Sequence, residues 1–200
     1  MTHREHPFGT EYLDKLKGAG KLSRTIKKYL VYPKLGLEKT NRVLDFGCGD
    51  LTFLIYNTPL YTFEPTAYDI NPEIEVISRD AQIPFYSDFS QINCSFDFIM
   101  CDNVLEHVGD WRDTFVDIGN CLDPAGTLVI GLPGLAGYAT DETHKCFITE
   151  FDLTQIAALH GLVLKKKIYY PLNVAMFARI FQLYSRHILT YYIFTKENEK

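Results

Sequence analysis

The sequence predicts an α/β domain in which helices cover both faces of a mostly parallel sheet. From Arg42 onward, short apolar runs alternate with helical patterns, and such alternation favours right-handed crossovers between parallel strands. The 200 residues suit one domain. Hydrophobic residues make up 46% and charged residues 22% of the chain, close to globular averages. This composition excludes a disordered chain, a collagen and a membrane bundle.

The predicted elements follow one another along the chain. A helical pattern over 12–32 places lysines between apolar residues, and Gly18 and Gly20 weaken it. The predicted strands cover 42–46, 65–69, 83–87, 96–101, 127–131, 163–170 and 189–195. Further helices are predicted over 51–56, over a short segment opened by Asn71 and Pro72, over about 111–121, and over 150–160 before Gly161. We expect a turn at 123–126.

The charge is unevenly distributed. Residues 1–42 hold ten Lys or Arg and four acids, a net charge of +6, whereas the whole chain carries −5. The basic segment is interpreted as a solvated helix face, with a basic lid or a docking face for an anionic partner as the alternative. The negative net charge argues against a nucleic-acid binder.

The cysteines indicate a reducing compartment. The chain has five, an odd number, without a C-x-x-C pair, which favours reduced thiols and a cytoplasmic protein. The first residues lack the apolar core of a signal peptide. Pro171, Arg179 and Arg186 interrupt the apolar stretch 168–194, so we expect no membrane-spanning helix.

Polar and glycine residues that follow the first two predicted strands point to a nucleotide-like ligand. Gly47 and Gly49 let the backbone approach a ligand and present amides at a helix start. Asp69 ends the second strand, where an acid can accept both hydroxyls of a ribose. The alternative is that Asp69 only caps the turn that follows it.

Four motifs, in order, resemble those of the class I S-adenosylmethionine-dependent methyltransferases. They are VLDFGCG at 43–49, YDINP at 68–72, FDFIMCDNVLEHV at 96–108 and LDPAGTLVI at 122–130. The resemblance implies a Rossmann-like seven-stranded sheet of order 3-2-1-4-5-7-6, with the last strand antiparallel. It also implies a single domain over 1–200, with an N-terminal helical lid (1–40) above a cofactor-binding core (41–200). A nicotinamide site would require G-x-G-x-x-G, and the third glycine is missing.

The resemblance implies that S-adenosyl-L-methionine is the cofactor and assigns each motif a part of it. The methionine portion would lie against Asp45 and the backbone of Gly47, Cys48 and Gly49. The ribose would bind Asp69 and the adenine would pack on Ile70. The methyl group would face Cys101, Asp102 and Asn103.

In the family that the motifs resemble, an acid after the third strand usually bonds the adenine amino group, and two acids compete for this role here. Asp80 is too close to Asp69 in sequence for a helix and a strand to fit between them. We therefore favour Asp88, followed by Phe89. One departure from the family concerns Leu51, where a further glycine is common. A leucine side chain there could crowd the helix start and weaken cofactor binding. We interpret it as tolerable variation, because the position lies past the closest approach of the backbone to the cofactor.

These features predict a methyltransferase enzyme that acts on a small-molecule or sugar-type acceptor. His107 and His144 are the candidate general bases. We expect no metal, no nucleic acid, and a monomer or homodimer. One alternative is a metal-assisted O-methyltransferase that uses Glu106, His107 and His144, and another is a non-catalytic binding or activator domain. Residues 172–187 are expected to roof the acceptor pocket rather than to contact a membrane surface.

Overall fold

The computed structural model describes residues 21–92, 95–171 and 188–197. In these residues seven strands form one sheet: β1 Arg42–Phe46, β2 Glu64–Tyr68, β3 Phe85–Tyr86, β4 Phe96–Asp102, β5 Leu122–Pro133, β6 Leu162–Tyr170 and β7 Leu189–Lys196. The strand order is β3-β2-β1-β4-β5-β7-β6. Only β7, within this described sheet, runs antiparallel to its neighbours. The predicted fold class and strand order are therefore confirmed.

Among the described residues, one α-helix precedes β1 and the other α-helices connect strands, and all but the short helix Leu135–Tyr138 were predicted from the sequence. They are α1 Lys21–Leu30, α2 Thr52–Tyr61, α3 Ile74–Asp80, α4 Trp111–Asn120, α5 Leu135–Tyr138 and α6 Glu150–Leu159. Helix α6 begins with a capping box, in which Thr149 accepts from the amide of Asp152 and the Asp152 carboxylate accepts from that of Thr149. It ends before Gly161, whose φ of 67° suits the residue after a helix.

Alternate side chains along each strand build a core on both faces of the sheet. Val43, Phe98 and Tyr191 point to the face that α1, α2 and α3 cover. Leu44 and Ile99 point to the opposite face, which α4 and α6 cover. Because the central strands are buried on both sides, their inner residues are mainly apolar. Acidic side chains lie at the carboxyl ends of β1 and β4, and Asp97 lies near the amino end of β4.

The turn predicted at 123–126 is wrong, because β5 already begins at Leu122. Phe96 pairs with Leu122, but Phe98 pairs with Thr127, so the residues between them form a bulge in the strand. Helix α3 begins at Ile74, later than predicted, because Asn71 and Pro72 form a turn before it. In that turn the Asn71 Oδ1 accepts from the Glu73 amide. Helix α2 extends beyond its predicted end, through Pro59 to Tyr61.

Some predictions fall outside the described residues, namely the helix over 12–20, Cys94 and the pocket roof at 172–187. The division into a lid (1–40) and a core (41–200) stays a prediction. Within the described parts of the chain, no helix combines the length and apolar character that crossing a membrane requires.

Candidate active site

The loop after β1 is built so that its backbone faces the carboxyl edge of the sheet. Gly47 has a φ of 75° and Gly49 a φ of 51°. A Cβ on Gly47 would lie 2.3 Å from Val104 Cγ2, so no other residue fits there without displacing that side chain. The amide of Gly49 donates to Asp69 Oδ2 at 3.0 Å, which joins this loop to the end of β2.

Asp69 accepts two backbone hydrogen bonds, from Gly49 and, on Oδ1 at 2.9 Å, from Asn71. Burial raises the pKa of Asp69, and the two amides oppose this shift. Asp69 therefore does cap the turn that follows it, as the alternative interpretation of this residue predicted. That Asp69 binds the ribose stays a prediction. The neighbouring Ile70 is 55% exposed, so its side chain offers an apolar surface on which the adenine ring could pack.

Asp45 lies beneath the loop and is 4% exposed. Burial raises its pKa well above the ordinary value, and the charges of Asp102, Asp69 and Asp50 add to this effect. Lys27 acts in the opposite direction. Several carboxylates thus converge at the carboxyl ends of β1, β2 and β4, which favours a cationic ligand in this position.

Asp88 and Phe89 follow β3, at the same edge. Asp88 caps a 3₁₀-helix (Phe89–Gln91) by accepting from the Ser90 amide, and this bond accompanies a lowered pKa. The Phe89 ring lies 5.3 Å from that of Tyr68, centroid to centroid. Burial and the charges of Asp69 and Asp88 raise the pKa of Tyr68. Asp80, by contrast, ends α3 before the edge strand begins, so this placement favours Asp88.

The side chains of Cys48, Leu51 and Cys101 lie in the core. Two of them, Cys48 and Cys101, were predicted to contact the cofactor, and neither side chain is available to a ligand. The Cys48 amide donates to the Tyr68 carbonyl at 3.0 Å, and Cys101 pairs with Ile130 between β4 and β5. Leu51 precedes α2 with a φ of 60° and is fully buried. A leucine at this position therefore strains the backbone but adds contacts to the core. Because its side chain points into the core, it does not crowd the ligand side of the loop.

Asp102 and Asn103 end β4 in a network that includes two residues not predicted from the sequence. The Lys27 Nζ lies 2.5 Å from Asp102 Oδ2, to which the Tyr191 hydroxyl also donates at 3.2 Å. Asn103 donates to Oδ1 at 2.9 Å. A Cβ on Gly131 would lie 2.5 Å from the same Oδ1, so the glycine makes room for the carboxylate. The basic N-terminal segment was the only sequence signal for Lys27, and it did not single out one lysine.

His107 and His144 come together as a pair, with ring centroids 4.6 Å apart. Thr143 Oγ1 donates its single proton to Asp141, so it accepts from His107 Nδ1 at 2.9 Å. The Tyr138 carbonyl likewise accepts from His144 Nδ1 at 2.8 Å. Each ring therefore donates through Nδ1, so Nε2 is the nitrogen that can accept a proton or bind a metal when the ring is neutral.

Glu106 lies beside the two histidines and is 1% exposed. Among the described residues, neither of its carboxyl oxygens has a hydrogen-bond partner. Its Oε1 is 3.9 Å from His144 Nε2. Burial raises the pKa of Glu106 to about 8, and burial, followed by the neighbouring His144, lowers that of His107. At neutral pH Glu106 is therefore mostly protonated and His107 mostly neutral.

A cavity of about 230 Å³ opens at the carboxyl ends of β5 and β6, near this cluster in the chain. Three aromatic rings line it, those of Phe147, Tyr169 and Tyr192, together with the polar side chains of Thr149 and Glu150. Burial, followed by the charge of Glu150, raises the pKa of Tyr192 above its ordinary value, so its hydroxyl stays protonated.

A family model described as "Methyltransferase domain" matches residues 16–167. A comparison with curated proteins found no match. Among solved structures, an S-adenosylmethionine-dependent methyltransferase from Clostridium acetobutylicum has a TM-score of 0.69 and 16% identity, covering 94% of this chain and 97% of that one. A Haloferax volcanii structure of the Trm112 methyltransferase activator in complex with a methyltransferase has a TM-score of 0.71 and 15% identity, with coverages of 94% and 95%.

A third structure is an O-methyltransferase from a multienzyme of Brevibacillus brevis, in complex with S-adenosyl-L-homocysteine. It has a TM-score of 0.63 and 17% identity, and the alignment covers 94% of this chain and 75% of that one. At these identities the structures show a shared fold, whereas the family model spans more than half of the sequence. The chain therefore belongs to the methyltransferase-domain family, and its resemblance to the class I S-adenosylmethionine-dependent methyltransferases is confirmed.

Proposed function

We propose that the protein transfers the methyl group of S-adenosylmethionine to an oxygen of a small-molecule or sugar-type acceptor. The observation that carries this proposal is the pair of histidines that donate through Nδ1, so that Nε2 can serve as the base. His107 follows β4, the strand that ends in the acidic Asp102, and His144 follows β5 and α5. Asp45, the Gly47–Gly49 backbone and Asp69 would hold the cofactor, whose bound sulfonium supplies an activated methyl group. The protein's own contribution is then to orient the acceptor and to remove its proton.

The reaction balances with one histidine as the base. The acceptor oxygen forms a bond to the methyl carbon while the carbon–sulfur bond breaks, and the bonding pair stays on sulfur. The acceptor proton passes to Nε2 of His107 or His144 and later to water. His107 suits this role because its lowered pKa keeps the ring neutral at pH 7, and the bonds through Thr143 to Asp141 hold its tautomer.

The cavity supports a small acceptor. Tyr138 connects it to the histidines, because its ring lies 5.3 Å from that of His144 and 5.3 Å from that of Phe147, which lines the cavity. The cavity volume of about 230 Å³ is below the ~300–1,000 Å³ of pockets for drug-sized ligands. Aromatic walls with threonine and glutamate groups suit a ring that carries hydroxyls, such as a sugar or a phenol. The same proposal assigns no nucleic-acid partner. It places the protein in the cytoplasm as a monomer or homodimer, in line with the free cysteines at 48, 101, 121 and 146.

To test the proposal, the protein is incubated with methyl-labelled S-adenosylmethionine and a panel of sugars, phenols and quinols, and the label in the products is measured. We expect labelled product with at least one acceptor. His107→Ala should lower kcat by about 10²- to 10⁴-fold, whereas His160→Ala, at the exposed end of α6, should not. If the protein binds the cofactor but transfers label to nothing in the panel, the non-catalytic binding domain becomes the better interpretation.

The Glu106 cluster supports a second candidate, metal-assisted O-methyl transfer. The ligand atoms of Glu106, His107 and His144 lie within 4.8 Å of one another, and the buried Glu106 oxygens lack partners among the described residues. Oxygen with two imidazole nitrogens suits Mn²⁺, Fe²⁺ or Zn²⁺. Titration with Mn²⁺ should give one site that Glu106→Gln abolishes and His160→Ala retains. No saturable binding, and activity unaffected by a chelator, would exclude this candidate.

A further inference from the structure

Helix α1 brings a lysine ammonium into the acidic edge of the sheet. Lys27 Nζ contacts Asp102 Oδ2 at 2.5 Å, and the two side chains are only 14% and 17% exposed. Ile26, the preceding residue, packs against the core, so the helix is anchored while the long lysine side chain reaches the end of β4. Lysine pairs of this kind at an exposed surface add little stability, and a half-buried one is costly to assemble.

The register of the sheet explains which groups surround the Lys27 ammonium. Asp45 and Asp102 occupy the same face of neighbouring strands, since Asp45 pairs with Met100 and β4 continues by two residues to Asp102. Tyr191 and Gly131 are paired in β7 and β5 on that same face. The Lys27 charge also acts on Asp45, whose raised pKa it opposes as the smallest of the contributions. One cation therefore faces the two acids Asp45 and Asp102 in the cleft that the methionine end of the cofactor would enter.

That end of the cofactor is an amino-acid zwitterion, an α-ammonium and an α-carboxylate on one carbon. Its chemical complement is an anion next to a cation, which Asp102 and Lys27 present. Separating this pair to admit the zwitterion exchanges one ion pair for two, so neither protein charge is left unpaired in a half-buried site. The four-carbon lysine stem permits such a movement without moving the helix.

We propose that Lys27 is a cofactor-binding residue whose ammonium leaves Asp102 and pairs with the α-carboxylate of the methionine portion. The Asp102 carboxylate then receives the α-ammonium, and Tyr191 and Asn103 keep it in place through their hydrogen bonds. This inference rests on the proposed function and names the contact that selects an intact amino-acid end.

The test compares two adenosine ligands that differ in that end. S-adenosylhomocysteine carries the zwitterion, and 5′-methylthioadenosine lacks it. We expect Lys27→Met to weaken S-adenosylhomocysteine binding by about 10- to 100-fold, as the loss of a charge-assisted hydrogen bond predicts, and to leave methylthioadenosine binding unchanged. Unchanged methylthioadenosine binding also reports that the variant is folded. Lys27→Arg should recover part of the loss.

The control is Lys28→Met, which removes the same charge from the same helix. Lys28 Nζ lies over the Tyr56 ring, 4.4 Å from its centroid, and should not affect either ligand. Equal or tighter binding of S-adenosylhomocysteine by Lys27→Met would overturn the inference, because Lys27 would then only obstruct the cleft. If the wild type binds neither ligand, the proposed function itself fails, and this inference fails with it.

Discussion

Asp69 holds two loops together before any ligand binds, because its two carboxylate oxygens accept from Gly49 and Asn71. Asp97 makes a similar arrangement at the opposite edge of the sheet. Its Oδ2 accepts from the amides of Asn41 and Arg42, at 2.9 Å and 2.8 Å. The two acids therefore share a structural role, and only Asp69 also faces the predicted cofactor site.

This similarity gives a controlled test of the ribose assignment. Asp69→Ala should lower both the melting temperature and the affinity for S-adenosylmethionine, the latter by about one to three orders of magnitude. Asp97→Ala should lower the melting temperature alone. The measurements are thermal unfolding and calorimetric titration of both variants. A stability loss without an affinity loss in Asp69→Ala would leave Asp69 as a turn cap and nothing more.

The buried Asp45 makes stability depend on pH. Because its pKa in the folded protein is raised, the folded state holds a proton that the unfolded state releases above about pH 4. The stability due to this proton is complete below that pH and is lost as the pH rises toward the folded-state pKa. Asp45→Asn should therefore gain stability relative to wild type as the pH increases from about 5 to about 8 in urea unfolding experiments.

Asp97→Asn provides the opposite sign as a control. Partial burial raises the pKa of Asp97, but the hydrogen bonds from Arg42 and Asn41 outweigh it and the pKa is lowered. This carboxylate stabilises the fold above its unfolded-state pKa, so its loss should cost stability at neutral pH. If the stability of both variants relative to wild type changes in the same direction with pH, Asp45 does not have a raised pKa in the folded protein.

Among single residues, the sequence predicted the site residues that come directly after a predicted strand. Asp69 and the glycine loop could be predicted because a strand end fixes where the next residues lie. Lys27 could not, because helical spacing leaves several lysines equally placed and only the packing of Ile26 turns one toward the cleft. The tautomers of His107 and His144 also depend on Thr143 and Tyr138, whose contacts are tertiary.

Among the elements, helix α2 shows how packing can override a backbone preference. Leu51 precedes it with a φ of 60°, and Thr62 follows it with a φ of 56°. The Leu51 side chain is fully buried, whereas that of Thr62 is exposed. A glycine would relieve the strain at both positions, worth about 1–2 kcal/mol, but only at Leu51 would it also remove core contacts.

Leu51→Gly is therefore expected to destabilise the protein. The loss of a buried leucine costs about 2–5 kcal/mol, which exceeds the strain relieved and leaves a net loss of roughly 1–3 kcal/mol. Thr62→Gly should be neutral or stabilising. Urea unfolding measures both, and cofactor affinity should stay within about threefold of wild type. A Leu51→Gly variant as stable as wild type would show that the strain outweighs the packing.

Element types were predictable from apolar periodicity, and element ends were less so. The segment 123–126 has the composition of a turn, yet it lies within β5 as a bulge. The residues on either side of it, Leu122 and Thr127, both pair with β4, with Phe96 and Phe98 respectively. The helix predicted over 51–56 likewise ends later, at Tyr61. The Asn57 side chain donates to the Phe53 carbonyl at 2.7 Å, which satisfies it within α2.

For the whole molecule, the sheet order positions every part of the site. The carboxyl ends of β1, β2 and β4 carry Asp45, Asp69 and Asp102, and the histidines and the cavity follow β4 and β5. The order of seven strands followed from the family resemblance and is confirmed. The acceptor could not be predicted, since it depends on cavity shape and on segments that carry no recognisable motif.

The most direct test of this account is calorimetric titration of the wild-type protein with S-adenosylmethionine. The account predicts saturable binding of one cofactor per chain with a Kd below about 1 mM, the upper end of common enzyme affinities for substrates. Asp97→Ala should bind equally well and Asp69→Ala more weakly. Absence of saturable binding at several millimolar, by a protein that unfolds cooperatively, would contradict the assignment of a functional methyltransferase.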